Sequence, residues 1–392
     1  MDLENQAPLR EKFLPVEIDE LAENLIQDSQ ANLGPDFERF CKLFLALHRT
    51  KLAGQVTELK RCYREFDPDR DTVSAKTVSA EERVELRRQL QPKLSELLRQ
   101  ANYVELSQEE FQAALNKTSP RGLQVSVNMD DFDELGLHFR GMGTRVDEMR
   151  DWRSLYLKKR YWNTPIYRRL FLFFKLRPDE KNSEQSNFLY LKMFRDVPQS
   201  DLEMLLPNTK VRMRVFDKVK LSITGGGGTV SGVMATVTKI GAAANPATWL
   251  IAIAGLAGIL WRQVTKVFAQ RTRYMADLAQ QLYFCNLDNN FGALVHLSDL
   301  ARDEEAKEAL LAYTFLATAE NGLNQSQLDQ KIEKHLADVY KVDVDFEIED
   351  GLNKLRRAGF LQDESGLLRV ISPAAAIQVM EEQWASRFAK TS

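Results

Sequence analysis

Thiols and imidazoles are scarce in this chain. Three cysteines (Cys41, Cys62 and Cys285) and four histidines are spread over 392 residues. The cysteine count is odd and no CxxC occurs, so a disulfide framework is excluded and a reduced, cytosol-facing chain is expected. His48, His138, His296 and His335 never stand at metal-ligand spacing and no HExxH occurs, so no metal site is expected. The N-terminus, MDLENQAPLREKFLPVEIDE, lacks a basic start followed by an apolar core, which argues against a secretory signal; it is also too acidic for a transit peptide. Neither sign of charge dominates: 53 Lys plus Arg against 56 Asp plus Glu give −3. With 44% hydrophobic and 28% charged residues, this balance excludes a disordered acidic chain, a collagen-like repeat and a polytopic transporter. The length suggests two or three domains.

Catalytic motifs are missing as well. Gly225 to Gly228 lack the Lys-Ser/Thr that a phosphate loop requires. The GMGTR stretch at 141–145 lacks the third glycine of a dinucleotide loop. Asp67, Asp69 and Asp71 start like a calcium loop, but Thr72 and Val78 stand where Gly and Glu are needed, so an Asp-capped turn is expected there. No GxSxG is present. The chain is therefore expected to be non-enzymatic, with no catalytic residue, cofactor or metal.

What is present begins with helices. Phe37, Phe40, Cys41, Phe44 and Leu45, continued by Val56, Leu59 and Tyr63, recur at helix-face spacing and predict a helix from 36 to about 66, ended near Asp67-Pro68. Ser79 with Glu82 at capping-box spacing predicts a second helix, running to about Ala101. Ser107 with Glu110 predicts a short third, to about Leu115. The period then shifts to two. Strands are expected at 123–129, 135–139, 166–176 and 188–194, forming a small, mostly antiparallel sheet packed on helices. Ser200 and Glu203 suggest a capped helix at 201–206. The YLKKRYWNTPIYRR stretch at 156–169 mixes cations with aromatics, as binders of nucleic acid or anionic headgroups do, although a basic loop feeding a strand has the same composition.

From Leu221 to Leu260 the only charged residue is Lys239. A spanning helix needs about 20 mostly apolar residues, and Asn245-Pro246 divides this stretch in two, which predicts a helical membrane hairpin. Lys210, Arg212, Arg214, Lys218 and Lys220 precede it; Arg262, Lys266, Arg271 and Arg273 follow it. Two spans return the chain to one side, so basic flanks on both ends place both termini on the cytoplasmic side. Trp249 and Trp261 suit interfacial positions, and Gly228, Gly232, Ala254 and Gly258 put small residues where helices pack in lipid or drive oligomers.

Residues 322–392 read helix, helix, hairpin, helix, the order of a winged helix, with Gly359 as a C-cap and Ser365-Gly366 as the hairpin turn. Residues 320–392 hold 9 basic and 13 acidic residues, a net of 9 − 13 = −4, which makes nucleic acid an unsuitable partner and a protein partner the expected one.

Four segments resemble the transmembrane-protein-143-like family, a domain of unknown function: YREFDPDRDT, LYLKMFRDVPQSDLEMLLPNTKVRMRVFDKVKL, LYFCNLDNNFGALVHLSDLARDEEAKEALLAY and LNKLRRAGFLQDESGLLRVI. The resemblance implies a membrane hairpin after the basic segment and brings no reaction with it. The expectation is an α+β chain. It comprises an N-terminal helical region (1–104), an α+β region with a small sheet (105–206), a basic-flanked transmembrane hairpin (207–273), a helical connector (274–320) and a winged-helix-like module (321–392). Its expected role is a membrane-anchored scaffold or interaction protein in a bacterial inner or organellar membrane, partnered by the lipid bilayer. The alternatives are a conditionally inserting pore or effector and a soluble winged-helix regulator.

Overall fold

The structure, a computed structural model, describes residues 10–73, 78–107, 109–111, 124–126, 128–150, 159–178, 183–207, 210–212, 282–364 and 366–389, and the single positions 261, 265, 276 and 280. The described residues divide into two compact units, one drawn from Met1–Leu106, Asp131–Asp196 and Leu287–Ser392, the other from Ser107–Asp130 and Val197–Asn286.

The first unit opens with α1 (Ile18–Leu33), α2 (Asp36–Tyr63) and α3 (Ala80–Gln100). α2 stops at Tyr63, a turn before the residue that precedes Pro68. α3 starts as its spacing predicts: the Ser79 side chain accepts from the Glu82 amide and Glu82 accepts from the Ser79 amide, at 3.1 and 2.9 Å. Two of the otherwise orphaned N-terminal donors are satisfied in this way. The C-terminal stretch adds α4 (Asn290–Ala317), α5 (Gln325–Tyr340), α6 (Ile348–Ala358) and α7 (Pro373–Ala389). Gly359 closes α6 with φ +79, a left-handed conformation that favours glycine.

Nine strands are described. A five-stranded sheet runs in the order β1 (Val104–Glu105), β3 (Phe132–Arg150), β4 (Lys159–Leu176), β5 (Tyr190–Pro198), β7 (Asn286–Asn289). β1–β3 and β3–β4 are antiparallel, and β3 pairs with β4 from Phe132↔Leu176 to Arg150↔Lys159. In the second unit, β2 (Gln124–Ser126) pairs antiparallel with β6 (Lys210–Arg212). β8 (Leu361–Glu364) and β9 (Leu367–Val370) form the hairpin expected around Ser365-Gly366. Helices plus an antiparallel sheet make the chain α+β.

Two cores hold the first unit. One collects the apolar faces of α1, α2 and α4 to α7, with Phe40, Tyr313 and Phe360 at its centre. The elements of 321–392 thus share one core with the N-terminal helices. The other core lies where α2, α3 and the start of α4 meet the sheet through Leu97, Phe171, Leu191 and Leu297. Gly351 lets α6 approach α4: a Cβ there would sit 3.0 Å from the Glu308 carbonyl oxygen.

Several expectations are corrected. Among the described residues no helix is long and apolar enough to cross a membrane. The transmembrane-like hairpin is therefore not part of the fold described, and the stretch expected to form it, 221–264, lies outside the described residues apart from Trp261. β3 and β4 are far longer than the strands expected at 135–139 and 166–176. Their outer ends form a two-stranded arm on which Val146 and Tyr161 are exposed, so no one-sided burial imposes an apolar alternation there. The basic-aromatic stretch is in strand from Lys159 onward. At 199–205 the chain forms a 3-10 turn kinked at Asp201, and Ser200 Oγ donates to the Asp201 carboxylate at 3.0 Å instead of capping. α1 has no counterpart among the expected elements.

Candidate functional site: a buried charged junction beneath the N-terminal strap

Residues 10–17 precede α1 as an irregular strap. Its polar groups are held from several sides. Arg10 pairs with Asp343 at 2.7 Å and Glu333 at 3.1 Å, and Lys12 with Glu347 at 2.7 Å. The Glu11 carboxylate accepts from the Met142 amide at 3.0 Å. These pairs are largely exposed and individually weak. The anchor is Leu14, whose amide and carbonyl meet α4 in the interior.

That meeting point is a charged junction. The Glu304 carboxylate, 0% exposed, accepts from the Leu14 amide (2.9 Å), Arg140 Nη2 (2.8 Å), Lys307 Nζ (2.8 Å) and Asn102 Nδ2 (3.5 Å). Lys307 also donates to the Leu14 carbonyl at 2.9 Å. Asn102, just past α3 with φ +57, donates to the Lys12 carbonyl and to the Glu308 carboxylate, each at 3.1 Å. Asn tolerates the left-handed region better than most residues. Glu308 accepts from Lys354 on α6, which also lies 3.5 Å from Glu305. Burial pushes the Glu308 carboxyl up, to about 7, with Lys354 and Asn102 opposing the shift.

On the sheet side, polar atoms are left over. His138 and Arg140 are two apart on β3, so they share a face; Arg169 on β4 stands directly opposite Arg140, and Phe171 opposite His138. The Tyr103 ring meets Phe171 edge-on at 6.4 Å. Tyr103 Oη, His138 Nδ1, Arg140 Nε and Arg140 Nη1 are all buried, with no hydrogen-bond partner among the described residues. Burial raises the Tyr103 hydroxyl to about 12, although the charges of Arg140 and Arg169 pull it down. Burial also holds His138 below its usual value. The Phe13 ring lies over the Arg140 guanidinium at 4.5 Å. A cleft of about 600 Å³ opens beside this face, lined by the strap, Arg140, Arg168, Arg169 and Lys307, with Glu17 and Glu20 also on its wall.

A second polar knot stands where α2 ends. Asp67 Oδ1 accepts from the Asp69 amide at 3.1 Å, the turn expected from the DPDRD run. Asp69 in turn accepts from Asn290 Nδ2, and Asn290 Oδ1 accepts from the Leu191 amide at 3.1 Å. Two of the three acids that resemble a calcium loop, Asp67 and Asp69, thus serve to tie the end of α2 to β5 and α4.

Of the residues singled out from sequence, Lys210 and Arg212 lie on β6, opposite Ser126 and Gln124. Trp261 is helical and exposed. Gly228, Gly232, Trp249, Ala254, Gly258, Arg214, Lys218, Lys220, Arg262, Lys266, Arg271 and Arg273 lie outside the described residues. Sequence reasoning did not single out Arg140, Glu304, Lys307, Glu308 or Lys354. The one available signal was local: EEAKEA places Glu304, Lys307 and Glu308 on one helix face, a pattern that solvated helices share.

No solved structure matches the chain. The comparisons supply no link to the transmembrane-protein-143-like family. Residues 167–292 match the model of the family described as a protein of unknown function (DUF3754), a span that runs from within β4 through the basic and apolar segments to the first residues of α4.

Proposed function

We propose that this chain is a non-enzymatic interaction protein that works against an anionic membrane surface, bacterial or organellar, without relying on a spanning helix. The observation that carries the reading is the segregation of charge along the chain. The segment TKVRMRVFDKVK, entered from β6, sets Lys210, Arg212, Arg214, Lys218 and Lys220 against Asp217 alone, whereas residues 320–392 have a net charge of −4. Each basic residue held near an anionic leaflet contributes about 1 kcal/mol. The same surface repels the acidic C-terminal stretch, which is left for a protein partner. A non-catalytic role is supported by the use made of the buried charges: Glu304, Lys307, Glu308 and Lys354 hold one another and the strap.

Co-sedimentation of the full chain with phosphatidylglycerol vesicles tests this reading. Binding is expected at low salt and release at about 0.5 M, where the Debye length is a few ångströms. Replacing Lys218 and Lys220 by Gln should weaken it. Equal recovery with neutral phosphatidylcholine vesicles, or no pelleting at low salt, would overturn the proposal.

A further inference from the structure

The orphaned donors of the sheet face have a common explanation. Buried polar groups are almost always hydrogen-bonded, so each exception calls for a cause. Four such atoms are gathered on three residues of one face: Tyr103, His138 and Arg140. Arg140 is 6% exposed and uses only Nη2, on Glu304. Arg169, directly across the ladder, donates from Nη1 to the Arg168 carbonyl at 3.0 Å, and no carboxylate among the described residues pairs with it. Like charges placed directly opposite on a sheet repel. The cleft as a whole is lined by Arg140, Arg168, Arg169 and Lys307 against Glu17, Glu20, Asp196, Asp303 and Glu304, 4 − 5 = −1, so the positive charge is local to the facing Arg140 and Arg169. Of the cleft's other acids, Asp303 is paired with Arg302 at 3.0 Å, Glu17 and Glu20 lie at the start of α1, and Asp196 stands on β5.

We propose that this face is an oxyanion-binding site for a phosphoryl group, with Arg140, Arg169, Tyr103 and His138 as its donors and the adjoining cleft as its entrance. The facing guanidinium groups of Arg140 and Arg169 suit a phosphomonoester, which carries about −1.5 to −2 at neutral pH. Its three terminal oxygens provide enough acceptor sites for the orphaned donors. Entry requires the Phe13 ring to swing off the guanidinium; the strap is pinned on either side, by the Glu11–Val344 bridge and by Leu14 on Glu304, so the movement asked is that of the side chain. Neither the vesicle-surface reading nor the basic segment at 210–220 is used in this assignment.

The test is titration of the full chain with inorganic phosphate and glycerol phosphate, read by calorimetry and melting temperature. Saturable binding that raises the melting temperature is expected. Arg169→Gln should weaken it about tenfold or more, the scale of one charge-assisted hydrogen bond. Tyr103→Phe should weaken it less and leave the unliganded melting temperature unchanged or higher, because the hydroxyl it removes has no protein partner. Vesicles containing phosphatidic acid identify the source. Uptake above that of phosphatidylglycerol vesicles, lost in Arg169→Gln, assigns a lipid headgroup; no such preference, with glycerol phosphate still bound, assigns a soluble phosphomonoester. Absence of binding by either soluble probe would overturn the proposal, as would binding that is undiminished in both variants. Arg169→Gln should leave binding to phosphatidylglycerol vesicles intact, which separates the two proposals.

Discussion

Toward its C-terminal end α4 buries Leu310, Tyr313 and Leu316 in the aromatic core, where Phe40 stacks on Tyr313 at 4.0 Å and Phe360 meets both rings edge-on at 5.9 and 6.0 Å. Earlier on the same helix, Glu304, Lys307 and Glu308 are just as buried. One region is held by area and ring contacts, which need only shape. The other is held by charges, which are stable inside a protein only while every partner is present. The difference lies in what each region tolerates: an apolar contact can be trimmed gradually, whereas the charged junction fails as a unit.

The largest expected effect follows from breaking that unit. Glu304→Ala leaves Arg140 and Lys307 as buried cations and the Leu14 amide unpaired, and should lower unfolding free energy by about 3–5 kcal/mol in denaturant titrations. Phe40→Ala should lose a similar 3–5 kcal/mol by leaving a cavity. The two are told apart by rescue. Replacing Arg140 and Lys307 by Met together with Glu304→Leu should restore part of the stability, since an apolar set of similar volume removes the unpaired charges while the Leu14 amide and carbonyl stay unpaired. Failure of that triple variant to recover would place the junction's importance elsewhere than in charge balance.

A pH titration sharpens the same contrast. Glu308 binds its proton up to about pH 7 when folded, against an unfolded value near 4.3. Between these values the folded state holds more protons than the unfolded state, so stability contributed by this group falls as pH rises from about 4 to 7. The expected result is a falling arm in the stability–pH curve across that range, read from denaturation midpoints. Glu308→Gln should flatten that part of the stability profile, whereas variants in the aromatic core should shift the curve without changing its shape.

The smallest effect concerns the helix start that the sequence spells out. Ser79→Ala removes an exposed capping box and should cost about 1 kcal/mol, measured as a lower denaturation midpoint with an unchanged slope.

Legibility in the sequence followed the range of the interaction. Ser79 with Glu82, the Asp67-to-Asp69 turn, Gly359 and the β8–β9 hairpin act through neighbours a few residues away, and each appears where its spacing places it. α4 was less distinct, expected only as part of a helical connector, because its second half, buried on every side from Ala306 to Thr314, lacks the polar stripe that marks a surface helix. The phosphoryl-site residues were not legible as a group, since Tyr103, His138, Arg140 and Arg169 are each ordinary in their own segment.

By itself, then, the amino-acid sequence determined where most described helices start and stop, the two-residue period of the sheet strands and the contrast between a basic middle and an acidic end. Local backbone chemistry and charge counting suffice for these. Only the tertiary structure decided that Leu14, Asn102, Arg140 and Glu304 meet, and that Arg140 faces Arg169 with donors to spare. Those contacts join residues separated by up to 290 positions. Their partners are chosen by how the strap, sheet and α4 pack, a choice that no local pattern encodes.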